Sequence, residues 1–153
     1  MSHKITLRDI NDDNFFACVE LPHENERFVA APVFVLADAY ACRSYMTTYA
    51  IYCDEEPVGL VMVRNKPADH GKGYAFTEIF IADNHLRKGY GRRAVAAVLH
   101  KLKHDNGFDT AKITVDMENH IAQNLFKKCG FIAQGPSGWN EDYIDFAMSL
   151  DNV

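Results

Sequence analysis

The stretch that decides the fold is Tyr74–Val98, YAFTEIFIADNHLRKGYGRRAVAAV. It reads as a strand, a short loop rich in glycines and cations, and then a helix. Aromatic and β-branched residues dominate Tyr74–Ile81, which suits a pleated segment. After the glycines, apolar residues at 90, 94, 95, 98, 99 and 102 keep a 3.6-residue period. That period predicts a helix running to about Asp105, stopped by Gly107. A strand feeding such a turn makes an anion site, because the first N–H groups of a helix have no intrahelical partner. Arg87, Lys88, Arg92 and Arg93 gather charge around Gly89 and Gly91, and the glycines let a ligand approach the backbone. Cations beside free N–H groups are what a pyrophosphate needs. The competing account is a helix start with a solvated basic face. No G-x-x-x-x-G-K-S/T loop is present, and no G-x-G-x-x-G with a following acidic residue.

Upstream, Lys4–Arg8 alternates as a first strand. Asp12 or Asp13 is positioned to cap a helix carrying Phe15, Phe16 and Val19, which Leu21-Pro22 ends. A second helix is expected from about Pro32 to Cys42, with Val33, Leu36, Ala37 and Tyr40 at helical spacing. Thr47–Cys53 and Val58–Val63 read as strands around a turn at Asp54–Glu56, and the glycines and Pro67 between Arg64 and Gly73 mark a hairpin connection. Downstream, Ala111, Ile113 and Val115 alternate as a strand. Asn119 opens a last helix with Ile121, Ala122, Leu125, Phe126 and Cys129 on one face, closed by Gly130. Phe131–Gln134 and Asp142–Leu150 close the chain as strands joined by a Gly-Pro-Ser-Gly turn. The order predicts one α/β (α+β) domain over residues 1–153, built around a mixed sheet.

The 153 residues, 48% hydrophobic and 24% charged, suffice for a core without disulfides or metal. Net charge −5 argues against a nucleic-acid partner and suits a cationic ligand, although acidity also serves solubility. The cysteines (Cys18, Cys42, Cys53, Cys129) form no C-x-x-C pair and match no histidine spacing for zinc, so no metal is expected. His100 and His104 lie on a cationic helix face and read as solvated. No secretory signal pattern opens the sequence, and the longest apolar run, Phe28–Ala37, is short for a membrane span and holds Pro32. A cytoplasmic protein without membrane contact is the expectation. The oligomeric state stays open, a homodimer included.

Glu78 is the residue most in need of a role. In a regular strand it shares a face with Phe76 and Phe80, where a carboxylate is costly unless paired or working. A partly desolvated Glu, its pKa raised, takes a proton from an amine or holds an ammonium as an ion pair. The bland account is a strand-end Glu reaching solvent or a neighbouring Arg. Cys129 lies on an apolar helix face without a histidine partner and reads as a small core residue.

LRKGYGRR, residues 86–93, resembles the acetyl-CoA signature of the GNAT N-acetyltransferases, with Gly89 and Gly91 as its two small residues. NHIAQNLFKKCGF, residues 119–131, is similar to the family's second motif, N-x-x-A-x-x-L-Y-x-x-x-G-F. ITLRDI at 5–10, FVA at 28–30 and AIYCDEEPVGLVM at 50–62 resemble the bacterial spermine/spermidine (diamine) acetyltransferase branch. The resemblance covers nearly the whole chain. It implies a GNAT-like fold: a mostly antiparallel central sheet of about seven strands, splayed in the middle, with about four helices. It implies that acetyl-CoA is the cosubstrate and that a small-molecule amine, with polyamines leading, accepts the acetyl group. The backbone at Ile79, Phe80 and Ile81 would pair with the pantetheine arm, and a backbone N–H of this strand would stabilise the oxyanion. Arg87, Lys88, Gly89, Tyr90, Gly91 and Arg92 would hold the pyrophosphate, with Asn119 and Phe126 contributing from the second motif.

Departures from the pattern fall where protons move. The signature's Gln or Arg is Leu86, and the tyrosine usually assigned as general acid is Phe126, which has no proton to give. Tyr143 is a candidate substitute; its plainer reading is an aromatic in the last strand. The family's acidic residue often aligns at Thr77, one position before Glu78, and a β-bulge shifts a register by one. The acidic clusters Glu24/Glu26, Asp54–Glu56 and Glu141/Asp142 either steer a polycation or are solvated. An amine antibiotic, a peptide N-terminus, or coenzyme binding without useful catalysis are the other readings.

Overall fold

The structure is a computed structural model that describes residues 3–23, 28, 30–65, 76–138 and 140–153. The Glu24/Glu26 pair, the expected hairpin connection at 66–73 and the first two residues of the expected central strand lie outside the described residues.

Among the described residues, seven strands and four helices follow in the order β1 (Ile5–Asp9), α1 (Phe15–Val19), α2 (Pro32–Ala41), β2 (Met46–Cys53), β3 (Glu56–Arg64), β4 (Phe76–Ile81), α3 (Tyr90–His104), β5 (Thr110–Asp116), α4 (His120–Lys128), β6 (Ile132–Pro136) and β7 (Tyr143–Ser149). A single 3₁₀ turn, Asp83–His85, bridges β4 and α3. This is the expected GNAT-like α/β arrangement. The strands form two antiparallel groups, β1-β2-β3-β4 and β5-β7-β6. The anticipated splay is therefore a full break: β4 and β5 are neighbours, yet no ladder joins them among the described residues. Strands linked by a helical crossover, as β4 and β5 are by α3, would form the parallel pair of a mixed sheet. That pair is the one left open.

The main core fills the side of the sheets covered by α3 and α4. Tyr90, Ala94, Val95, Val98, Leu99 and Leu102 all face it, as their spacing predicts, together with Val61 and Val63 of β3, Ile113 and Val115 of β5, Phe126 and Phe146. The other side of β1–β4 carries two smaller clusters. Cys18, Leu21, Ala50, Leu60 and Phe80 pack beneath α1. Val35 and Ala39 of α2 pack on Met46 and Met62.

On that second side the expected helix faces are corrected. α1 buries Cys18, whereas Phe15 and Phe16 are exposed. Its N-cap is Asn14, not Asp12 or Asp13, and the side chain of Asn14 accepts from the N–H of Asn11. α2 buries Val35 and Ala39 and turns Val33 and Tyr40 to solvent. PVFVLADAYA is apolar nearly all round, so spacing alone selects no face. The methionines on the sheet below make the choice.

The candidate functional site

β4 supplies the site with an edge and a face. At the edge, Ala82 donates its N–H to Val58 O on the β3 side at 2.7 Å. Main-chain groups alternate along a strand, so Phe80 also turns its N–H and C=O to β3, while those of Ile79 and Ile81 point away. Gly59 confirms the close approach on the β3 side: a Cβ there would meet Phe80 O at 2.1 Å. The outward N–H and C=O groups of Ile79 and Ile81 thus line the open gap toward β5, as an unpaired edge does. Of the three residues expected to pair with the cosubstrate, Ile79 and Ile81 present their backbone there. Phe80 does not, and its ring is buried under α1.

Past the edge the chain turns sharply. Arg87 adopts φ +63 and Gly89, the N-cap of α3, φ +78. Only the second is free of side-chain strain. Arg93 donates its N–H to Gly89 O, so the N–H groups of Tyr90, Gly91 and Arg92 precede the helical ladder. Arg87, Lys88, Gly89 and Arg92 are exposed beside them. Arg93 is set apart, its guanidinium donating to the His3 carbonyl. Tyr90 is buried. A hydrogen bond with Cys53, then burial, holds its hydroxyl above the ordinary phenol range. This leaves a run of N–H donors flanked by three exposed cations, Arg87, Lys88 and Arg92, chemistry that fits a pyrophosphate.

On its face, β4 carries Glu78. Val63 pairs with Phe76 and Met62 with Glu78, so Thr77 is an extra residue on β4. This is the β-bulge that shifts the register by one. Glu78 follows it and sits half-buried on the α1/α2 side. Burial pushes its carboxyl up to about 7, and the Asp38 carboxylate of α2 adds to the rise. Thr48, Met62 and Glu78 form one row across β2, β3 and β4. The Thr48 hydroxyl is buried without a hydrogen-bond partner among the described residues, as is His23 Nε2. The His23 ring lies 6.3 Å from that of Phe80. Sequence reading missed Thr48 and Asp38, because nothing local links them; only register and helix packing bring them to Glu78.

The second motif is placed partly elsewhere. Asn119 is the N-cap of α4, its Oδ1 accepting from the Ala122 N–H at 3.2 Å. Phe126 is 2% exposed and meets Phe131 edge-on at 5.6 Å in the main core. Tyr143 begins β7 opposite Asp116. Burial pushes the Cys129 thiol up, which keeps it protonated against the core. His3, Cys53 and Asp54 bring potential metal-ligand atoms within 4.8 Å of one another, a grouping that spacing did not suggest. Asp54 is engaged there by His3 Nδ1 and the Lys4 N–H. No helix among the described residues is long and apolar enough to cross a membrane.

The family model described as "Acetyltransferase (GNAT) family" matches residues 6–131. No curated protein sequence matches the chain. Among solved structures, a spermidine N-acetyltransferase from Vibrio cholerae, in complex with CoA and spermine, has TM-score 0.69 at 16% identity, with 95% of each chain covered. The aminoglycoside acetyltransferase AAC(6')-Ib in complex with coenzyme A gives TM-score 0.75 at 18% identity over 95% of each chain. An acetyltransferase from Salmonella typhimurium that modifies the N-terminal serine of ribosomal protein L7/L12 gives 0.76 at 14% identity, covering 98% of this chain and 97% of that one.

Proposed function

Because the chain belongs to the GNAT acetyltransferase family, we propose that it transfers the acetyl group of acetyl-CoA to a primary amine of a small molecule, with a polyamine or diamine as the leading acceptor. The observation that carries this reading is the open edge of β4 running into the donor-rich start of α3. Ile79 and Ile81 would pair with the pantetheine arm, and the N–H groups of Tyr90, Gly91 and Arg92, with Arg87 and Lys88, would hold the pyrophosphate. Asn119 would help from the start of α4. Acetyl-CoA supplies the acetyl group as an activated thioester.

Glu78 faces the acceptor. An alkylammonium has a pKa near 10 and must lose a proton before it attacks. A carboxylate titrating at about 7 is a general base suited to neutral pH. Net, an alkylammonium and a thioester give an amide, a thiol and one proton. Glu78 takes the first proton and passes it to solvent; the second, lost as the amide forms, goes to the departing thiolate. An outward N–H of β4 would stabilise the developing oxyanion.

Polyamines lead for two reasons: the acidic face carrying Glu78 and Asp38, and the resemblance of residues 5–10, 28–30 and 50–62 to the spermine/spermidine branch. The test is amine-dependent thiol release from acetyl-CoA across polyamines, aminoglycosides and peptides. Release with aliphatic polyamines is the expected result. Tight acetyl-CoA binding with no amine-dependent release would instead mark a coenzyme-binding module.

A further inference from the structure

The α1/α2 side of β4 holds more acid than one acceptor amine requires. Val35 and Ala39 rest on Met46 and Met62, which fixes Asp38, on the turn between them, above the Thr48–Met62–Glu78 row. Asp38 is half-buried, and its hydrogen-bond contact among the described residues is the weak donor Cys42 Sγ at 3.7 Å. Arg64, two residues along β3 from Met62, lies over the Tyr45 ring at 5.1 Å, and Arg43 lies over Tyr40 at 4.3 Å. Thr48, 8% exposed, keeps in the same row a hydroxyl with no hydrogen-bond partner among the described residues. Burial desolvates the Glu78 carboxylate, and the Asp38 charge repels it. A cation entering between them relieves both costs.

We propose that Asp38 is a specificity-determining residue of the acceptor site: Glu78 receives the amine that reacts, and Asp38 holds a second ammonium group of the same molecule. The inference rests on the acetyltransferase reading and goes beyond it by naming the residue that distinguishes a dication from a monoamine. The second ammonium keeps its proton throughout, so Asp38 takes no proton itself, although its charge contributes to the raised Glu78 carboxyl. Thr48 adds a neutral acceptor on the floor between the two carboxylates.

The test compares 1,4-diaminobutane with butylamine in the wild type and in Asp38→Asn. The wild type should favour the diamine. Asp38→Asn should raise the KM for the diamine roughly 10- to 100-fold, as loss of one partner of a partly desolvated charge pair does. At about pH 9, where Glu78 is ionised with or without Asp38, its kcat and both constants for butylamine should stay within about twofold. Equal losses for the two amines would mean that α2 has only been disturbed, and no loss would mean that Asp38 does not face the acceptor; either overturns the inference. Should neither amine be acetylated, the enzymatic reading fails by itself, and calorimetry of diaminobutane binding decides this one. Weaker binding to Asp38→Asn than to wild type upholds it; equal or absent binding ends it.

Discussion

The two sides of β4 are built by different means. Along its open edge and into α3, the groups that fit the cosubstrate belong to the main chain: outward amides at Ile79 and Ile81, then the first N–H groups of a helix. They come from one continuous segment, and the side chains there mostly add charge. Across its α1/α2 face, the groups proposed for the acceptor are all side chains, and they arrive from α2, β2 and β4. A backbone site tolerates changes of side chain and should be shared widely. A side-chain site assembled from distant elements changes with single substitutions, and selectivity resides there.

Glu78→Gln is the sharpest way to separate the two sides. kcat/KM for amines should fall about 10²- to 10⁴-fold, the usual worth of a general base. The KM for acetyl-CoA should stay within about twofold, since the variant leaves the β4 edge intact. The wild-type rate should decline below pH 7 as Glu78 protonates. Stability should move the opposite way. The folded pKa lies above the unfolded one, so between about pH 4.5 and 7 the folded state binds the extra proton, and the wild type loses stability as pH rises through that window. Glu78→Gln should therefore be more stable than wild type at pH 8, by up to about 3 kcal/mol, and no more stable at pH 4. Denaturant melts at the two pH values check this; a variant with wild-type rates removes Glu78 from the chemistry.

Gly59→Ala should damage both sides together. Its Cβ would sit 2.1 Å from Phe80 O and 3.2 Å from Ile81 Cα, backbone atoms that retreat only if β4 shifts. We expect a loss of about 2–3 kcal/mol, or a Tm lower by about 5–10 °C, together with a raised acetyl-CoA KM. A neutral outcome would mean that β3 and β4 lie farther apart than their register implies.

Legibility in the sequence follows the same division. The buried positions of α3 and the cation-glycine turn were readable, because each is a local pattern whose meaning depends on nothing distant. Asn119 was legible as a helix start for the same reason. The faces of α1 and α2 were not: their apolar residues exceed what one face can bury, and the choice of Cys18, Val35 and Ala39 is made by the sheet beneath. The bulge at Thr77 was conceivable but unreadable, since a register shift belongs to a pair of strands. Asp38 and Thr48 stayed unnoticed because their significance is their nearness to Glu78.

Charge on the cosubstrate side can be dissected with paired variants. Arg92→Ala should raise the KM for acetyl-CoA about 5- to 10-fold at low salt, an effect that shrinks as ionic strength rises because the site is exposed. Arg93→Ala should change it by less than about twofold, because that guanidinium is occupied by the His3 carbonyl. Equal effects would merge the two arginines into one diffuse basic patch and weaken the picture of a directed cradle.

The smallest expected effect concerns Phe126, which occupies the family's tyrosine position. A tyrosine there would restore the missing hydroxyl in name, yet the ring is 2% exposed and set edge-on to Phe131 within the main core. A hydroxyl added at such a place loses water and must find a new partner. Phe126→Tyr is therefore expected to cost about 1 kcal/mol, lowering Tm by about 2–4 °C, with kcat unchanged. A higher kcat, strongest with weakly basic amines and coupled to faster thiol release, would show that the far edge of the ring reaches the reacting thioester. α4 would then belong to the chemistry as well as the core, and the division between a backbone side and a side-chain side would need a third participant.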